Sequence, residues 1–324
     1  MIKSRIGVIG VGYLGLHHAR KYAAMENVDL VGVADIDISR AKEIAHQLNT
    51  RSFGDFKELL PLVDAVSIVV PTKKHFEVAN ACLDYGVDVL IEKPITVTID
   101  EADALISKAE LCKRVLQVGH IEQFNPAVLA MEQYITSPIF IESQRIHSFN
   151  PRGADVDVVL DLMIHDIDII TSIVPSPIKT IHAVGVPVIT NSSDIANVRM
   201  IFENGCTANI TVSRISKTNI RKIRIFQPRS FISVDYGKKE IYTIKHLDEL
   251  NENGHPKEEF NHFCFAETDA LETELKAFIL NIQHRTAPKI GGREGRKALK
   301  IAHQIIDQMK NYIIEHKELL EIDN

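Results

Sequence analysis

Tryptophan is absent from this 324-residue chain, and aromatic residues of every kind make up only 6% of it. Surfaces that hold single-stranded nucleic acid interleave aromatic and basic side chains. Neither is in surplus here, because 37 Lys and Arg stand against 43 Asp and Glu for a net charge of −6. Nucleic acid and membrane surfaces are therefore not expected partners. Cysteine is sparse as well. Cys82, Cys112, Cys206 and Cys264 are scattered, without a C-x-x-C pair or a zinc spacing, and read as reduced, mostly buried thiols. No apolar run approaches the ~20 residues that span a bilayer. The first strand begins almost at once, so no secretory leader is expected and the expected location is the cytoplasm. Internal repeats and low-complexity linkers are missing too.

What is present is an alternation of short apolar strands and amphipathic helices over the first 120 or so residues. Strands are predicted at 5–10, 29–34, 65–70, 87–91 and 115–118, and helices at 14–25, 38–48, 55–59, 74–85 and 100–112. Such alternation predicts a doubly wound parallel sheet with helices on both faces. After Asn125-Pro126 the pattern changes. Segments 126–135 and 158–173 read as helical, 139–147 as extended, and 178–246 as successive strands. The clearest piece is Ala196–Phe202, Asn204-Gly205, Cys206–Ser213, an alternating hairpin in which both turn residues are expected at positive φ. Two helices, 267–284 and 294–316, close the chain. The fold expected is α/β: a dinucleotide-binding domain over 1–122, then an α+β domain over 123–324 with an open, mainly antiparallel sheet. The absence of a loose spacer near 122 predicts one body with a cleft.

The chain is organised around Arg5–Gly15. An apolar run leads into Gly10-x-Gly12-x-x-Gly15, and a helical pattern follows. Gly10 permits the tight turn, Gly12 lets backbone amides approach a pyrophosphate at the helix N-terminus, and Gly15 lets helix and strand pack closely. Asp35 closes the second strand, twenty residues after Gly15. An acid there accepts the ribose hydroxyls of NAD and repels the extra phosphate of NADP, so NAD is the expected cofactor. Ligands of parallel sheets collect at the carboxyl ends of strands. Two more such ends are Val70-Pro71-Thr72, followed by His75, and Glu92-Lys93-Pro94.

Lys93 can donate to a substrate oxygen beside the nicotinamide, with its charge tuned by burial and nearby acids, or it is a plain strand-end residue; Lys93-Pro94 is also a candidate cis peptide. In Asp161-Leu-Met-Ile-His165-Asp-Ile-Asp168, regular helix would place Asp161, His165 and Asp168 on one face of an otherwise apolar segment. Either the stripe is an internally satisfied network, or His165 takes a proton and Asp161 orients it. Two carboxylates and one imidazole fall short of a sound metal set. Gly119–Pro126 is a polar hinge expected to line the cleft mouth. Between Glu203 and Asp235 stand Arg214, Lys217, Arg221, Lys222, Arg224 and Arg229 with no acid among them. They either meet an anionic substrate such as a nucleotide diphosphate or pair with acids at a sheet edge or on a second subunit.

In this order these motifs resemble the Gfo/Idh/MocA oxidoreductases, over nearly the whole chain. The resemblance implies a Rossmann domain followed by an open-sheet α/β domain, assembled as a homodimer or homotetramer through that sheet. It implies that Gly10, Gly12, Tyr13, Leu14 and Gly15 hold the pyrophosphate of NAD and Asp35 its ribose. Pro71, Thr72, His75, Glu92 and Lys93 would line the rest of the cofactor, and Lys93, Asp161 and His165 would be catalytic. Gln123, Asn125 and Arg145 complete the expected substrate-binding group with Asp161 and His165. Within the family, Gly119–Pro126 and the later Ser213-Arg-Ile-Ser, Arg221–Phe226 and Val234-Asp-Tyr236 look like the branch that acts on UDP-N-acetylglucosamine. That branch oxidises the sugar 3-hydroxyl to a ketone, which a partner aminotransferase aminates on the way to a diamino sugar of lipid A. Gln123 stands where that pattern has arginine. Two alternatives are a dehydrogenase of a free polyol or sugar, and a regulatory protein that only binds NAD.

Overall fold

The computed structural model describes residues 3–150, 156–265 and 267–315. It divides into two compact units. The first comprises Met1–Ile121 and Asp269–Lys297, the second Glu122–Thr268 and Ala298–Asn324.

In the first unit, β1 (Ser4–Ile9), β2 (Val28–Ala34), β3 (Arg51–Phe53), β4 (Ala65–Ile68), β5 (Asp88–Glu92) and β6 (Leu116–Gly119) form a wholly parallel sheet. Its order is β3-β2-β1-β4-β5-β6. The order reverses between β1 and β4, which opens a crevice at the carboxyl ends of those strands. The crossovers are α1 (Tyr13–Ala24), α2 (Ile38–Leu48), α3 (His75–Asp84) and α4 (Ile99–Leu111). Local chemistry sets their starts. Asp37 accepts the amides of Ser39 and Arg40 to begin α2, and Thr98 with Glu101 forms a reciprocal capping box for α4. The expected helix at 55–59 is instead two short 3-10 turns, Phe56–Glu58 and Leu60–Leu62. β3 escapes sequence reading because three residues at a sheet edge carry no periodic signal.

In the second unit, α5 (Pro126–Met131), β7 (Phe140–Ile146) and α6 (Ile164–Ile173) precede a run of strands. These are β8 (Ile178–Val186), β9 (Ile195–Phe202), β10 (Thr207–Ser213), β11 (Ile220–Gln227), β12 (Ser230–Asp235), β13 (Glu240–Leu250) and β14 (Pro256–Cys264). The eight-stranded sheet runs β14-β13-β12-β11-β7-β10-β9-β8 and is antiparallel except for the central β7–β10 pair. One face is buried by Ile141, Val198, Ile210, Ile223 and Ile232 against apolar residues of α5 and α6. β14 lies beyond the last expected strand. It is exposed along nearly its whole length, so its residues have no reason to alternate. The β9–β10 turn differs from expectation in detail. Only Gly205 has positive φ, at 89°, and the Gly205 amide donates to Phe202 O while Phe202 N donates to Cys206 O. That is a three-residue turn with one left-handed glycine, not the two-residue form.

A single cut at 122 does not describe the units. α7 (Ala270–His284) buries Leu275, Phe278, Ile279 and Ile282 among Ile6, Val8, Tyr22 and Leu90, so it belongs with the parallel sheet. An apolar stripe on a helix says that it is buried, not against which sheet. α8 (Gly292–Glu315) contributes Ala302, Ile305 and Met309 to the core of the second unit. The expected end of this helix at 316 lies outside the described residues. Among the described residues no helix is long and apolar enough to cross a membrane.

Candidate active site

The glycine turn is built for a phosphate group. Gly10 has φ +85°, and a Cβ there would lie 2.6 Å from Val69 O. A Cβ on Gly15 would fall 1.9 Å from Gly10 O, so these two glycines are demanded by the backbone itself. Gly12 is different, because a Cβ there would meet nothing within 4 Å. Its space is open toward the start of α1, where Tyr13 and Leu14 are also exposed. No side chain caps α1, and its first turn carries no acidic residue. The helix therefore presents unsatisfied N–H groups and the positive end of its dipole, which suits the pyrophosphate of a dinucleotide. Asp35 accepts the Val11 amide at 2.8 Å and the Asp37 amide at 3.0 Å, which ties the end of β2 to the turn.

The ends of β4 and β5 are joined by His75. Its Nδ1 lies 2.8 Å from Pro94 O and its Nε2 3.0 Å from Val70 O, and the ring is buried. Burial pushes its pKa down against the pull of the two carbonyls. Both ring nitrogens of His75 thus lie against backbone carbonyls of the two strand ends. Pro71 is exposed and Thr72 half-buried beside it. The Lys93-Pro94 bond is cis. Lys93 is half-buried, and Glu92 faces His18, whose Nε2 lies 3.1 Å from Glu92 Oε1. Burial pushes the Glu92 carboxyl up, but the His18 hydrogen bond and the charges of His18, Lys93 and His75 outweigh it and hold the group below its usual range.

In the second unit the stripe is not the regular helix expected. Val159–Met163 winds as a π-helical turn before α6, an irregularity that often marks functional positions. The extra residue breaks the one-face spacing and sorts the polar groups. Asp161 and His165 are half-buried, whereas Asp166 and Asp168 are buried. Asp168 accepts from Gln123 Nε2 at 2.8 Å. Asp166 accepts from Ser143 Oγ and from Arg145 Nε, both at 2.7 Å.

Arg145 also donates to Glu122 at 2.7 Å and stacks 5.2 Å from the Tyr236 ring centroid. Burial would lower its pKa, but Asp166 and Glu122 raise it further, so its charge is fixed. Gln123 and Asn125 are buried as well. Asn125 caps α5 through the Ala127 amide and donates to Tyr236 O at 3.1 Å. Arg145 and Asn125 thus give these hydrogen bonds to their own unit, where the sequence expectation had them meeting substrate. The basic stretch behaves likewise. Arg214 pairs with Asp194, Lys222 with Asp235, Arg224 with Glu142 and Arg229 with Asp248, while Lys217 and Arg221 remain exposed.

Residues 4–120 match the model of the oxidoreductase family with an NAD-binding Rossmann fold, and residues 127–229 match the Gfo/Idh/MocA C-terminal domain. The chain belongs to the Gfo/Idh/MocA oxidoreductase family. Among Gfo/Idh/MocA relatives, it is 39% identical over 306 residues to UDP-N-acetylglucosamine 3-dehydrogenase of Acidithiobacillus ferrooxidans, covering 94% of this chain and 97% of that one. A solved structure of that enzyme superposes with a TM-score of 0.90 at 37% identity, over 97% of this chain and 100% of the other. Myo-inositol 2-dehydrogenase of Thermotoga maritima is 26% identical over 318 residues, covering 92% and 94% of the two chains. The first unit is accordingly the NAD-binding domain of a dehydrogenase.

Sequence reading missed two buried polar residues of the first unit. His18 carried no spacing signal, because its partner Glu92 lies 74 residues away. Glu274 was visible in principle. It interrupts the apolar stripe of Leu271, Leu275 and Phe278 on α7, and an acid in such a stripe is buried or the stripe is not.

Proposed function

We propose that this dehydrogenase oxidises the 3-hydroxyl of UDP-N-acetylglucosamine to a 3-keto sugar for later transamination, with NAD as the hydride acceptor. The observation that carries the reading is the match along 94% of the chain to a relative with that activity, with Lys93, Asp161 and His165 all half-buried, neither sealed in a core nor washed by bulk solvent. NAD supplies the hydride chemistry; the chain supplies orientation and proton transfer. Oxidation at a carbinol carbon removes a hydride from carbon and a proton from oxygen. His165 takes the proton, and Asp161 orients its ring. Lys93, next to the ionised Glu92, serves as a cation that steadies the oxygen as charge develops on it. Gly12, Tyr13 and Leu14 hold the pyrophosphate and Asp35 the adenosine ribose. Lys217 and Arg221, both exposed in the basic stretch, are the cations that meet the substrate diphosphate. Gln123, bound to Asp168, sets the wall of the sugar pocket without adding a charge.

The test is a substrate panel with purified protein and NAD, followed by nicotinamide absorbance. Turnover of UDP-N-acetylglucosamine, sustained when an aminotransferase and an amino donor remove the ketone, is the expected result. Turnover of inositol or glucose with none of the UDP-sugar overturns it. The ketone product is the link to an aminotransferase partner in a lipid A or cell-surface diamino-sugar pathway. The four free thiols fit a cytoplasmic setting.

We also infer that the open face of the eight-stranded sheet joins copies of the chain. Phe140 stacks on Phe226 with centroids 5.6 Å apart, Phe231 tilts against Phe226 at 5.1 Å, and Tyr242 stacks on His262 at 4.0 Å. Aromatic rows of this kind favour a protein partner over water. Sedimentation is expected to give a dimer or tetramer that Phe226→Glu shifts toward monomer; a monomeric parent protein would sink the idea.

A further inference from the structure

Arg214 is the largest fully buried side chain among the described residues, and it stands one position beyond the end of β10. Its guanidinium donates in three directions. Nε reaches Asp194 Oδ1 at 2.8 Å, Nη2 reaches Thr190 Oγ1 at 2.9 Å and Ser192 Oγ at 3.2 Å, and Nη1 reaches Val156 O at 2.8 Å. Most of the hydrogen-bonding capacity of Asp194 is filled without the arginine. Its Oδ2 accepts the amides of Val188, Ile189 and Thr190 at 2.8, 2.6 and 2.8 Å, and Thr190 Oγ1 lies 2.8 Å from its Oδ1. The loop before β9 is thus already closed around Asp194. What the arginine adds is the reach from that loop to Val156.

Val156 leads into the π-helical turn. Val158 N donates to Ser193 O at 3.2 Å, so the lead-in is fastened to the same loop a second time. Asp157 then starts the turn. Its Oδ1 accepts the Val159 amide at 2.9 Å, and its carbonyl accepts the amides of Leu160 and Asp161, both at 3.0 Å. The far end is fixed separately, because Asp166, the residue after His165, is held by Ser143 and Arg145 of β7 at 2.7 Å. β7 and β10 are the parallel pair of the sheet, with Val212 opposite Arg145, so both strands end on the same side. Their two arginines grip one segment, Arg214 ahead of Asp161 and Arg145 just past His165. Apolar side chains of similar volume would fill such space without the cost of burying charge. A guanidinium instead specifies where a backbone carbonyl sits.

We propose that Arg214 is a positioning residue for Asp161: by holding Val156 O it fixes the start of the π-helical turn, and with it the place of Asp161 relative to His165. The role deepens the function proposed above and rests on Asp161 orienting His165 there.

Amide exchange and kinetics on the full-length protein test this. Arg214→Lys keeps a positive charge for Asp194, but an ammonium on a flexible stem cannot also hold Val156 and Ser192 in fixed geometry. The amides of Val159, Leu160 and Asp161 should then exchange about tenfold faster than in the parent, while those of β1 and β4 keep parent rates. These rates do not depend on the substrate. In turnover with the substrate found by the panel, kcat should fall about ten- to hundredfold, the cost of a misplaced group, with KM for NAD and sugar within about threefold. Asp161→Asn should lower kcat on its own, and adding Arg214→Lys to it should change kcat by less than about threefold. Thr190→Val keeps the ion pair and removes only the hydroxyl shared by Arg214 and Asp194. It should move exchange and kcat in the same directions by about threefold, the scale of one hydrogen bond. Parent exchange rates over residues 157–161 in both Arg214→Lys and Thr190→Val would overturn the proposal, whatever the substrate is. Losses in kcat that multiply in the Arg214→Lys, Asp161→Asn double variant would show that Arg214 acts on something other than Asp161, and would overturn the positioning role. Faster exchange in Arg214→Lys with Asp161→Asn at parent kcat would remove Asp161 from the chemistry. That result overturns the function proposed above for Asp161, and the positioning role with it, while the grip on Val156 stands.

Discussion

Lys93→Met should lower kcat by about 10²–10⁴-fold, the range expected when a charge-stabilising or proton-transfer group is lost. His165→Asn should cost a similar factor. Methionine keeps most of the aliphatic volume of lysine, and asparagine keeps a polar group at the π-helical turn, so the folds should survive. The cofactor should still bind in both variants, because the glycine turn at Gly10–Gly15 and the bond from the Val11 amide to Asp35 are untouched. Nicotinamide fluorescence on titration with NADH measures that directly. The double variant should fall less than the product of the two single losses, as expected for groups that act on one proton and one oxygen. Either single variant within threefold of the parent kcat, with normal cofactor binding, would remove that residue from the chemistry.

The second large effect lies in the glycine turn, where two nearby positions should fail differently. Gly15→Ala puts a methyl group where the Gly10 carbonyl already is, at 1.9 Å, and no side chain can swing aside to make room. Strand and helix must separate, at a cost of about 1–3 kcal/mol or more for overpacking. The thermal midpoint should drop by several degrees, and NADH affinity should fall with it. Gly12→Val should leave the midpoint near that of the parent, since its Cβ meets nothing within 4 Å. Its affinity for NADH should fall at least tenfold, because the added methyl groups fill the space the phosphates need. Equal loss of stability in both variants would mean that the open space at Gly12 is not a cofactor cradle.

The first half of the fold was legible because its signals are local. Each βα junction places a glycine, a capping acid or a strand-end polar group within a few residues of the element it controls. Gly10–Gly15, Asp35 and Glu92–Pro94 could therefore be placed by spacing. The second half was legible only as alternating strands. Its sheet order depends on which strand edges meet, and the one parallel contact, β7 with β10, joins segments 67 residues apart in register. No local pattern encodes that pairing.

The polar groups of the site were harder still. Asp161, His165 and Asp168 were placed on one face by assuming regular helix. The π-helical turn instead leaves the first two half-buried and directs Asp166 and Asp168 inward, to Arg145 and Gln123. Arg145 illustrates the general difficulty. A lone arginine in a strand gives no sign of whether it serves a ligand or a buried acid, and in this fold two acids hold it. The return of α7 to the parallel sheet brings Glu274 to Gln117 of β6 across 157 residues of sequence, a distance at which no motif operates.

The most direct measurement follows the hydride. UDP-N-acetylglucosamine carrying deuterium at sugar carbon 3 is incubated with the protein and NAD, and the reduced cofactor and the sugar are analysed by mass spectrometry. Deuterium in NADH, with loss of one deuterium and one proton from the sugar, is the predicted result. Deuterium retained in the sugar while NADH forms from another substrate in the panel would contradict the assignment.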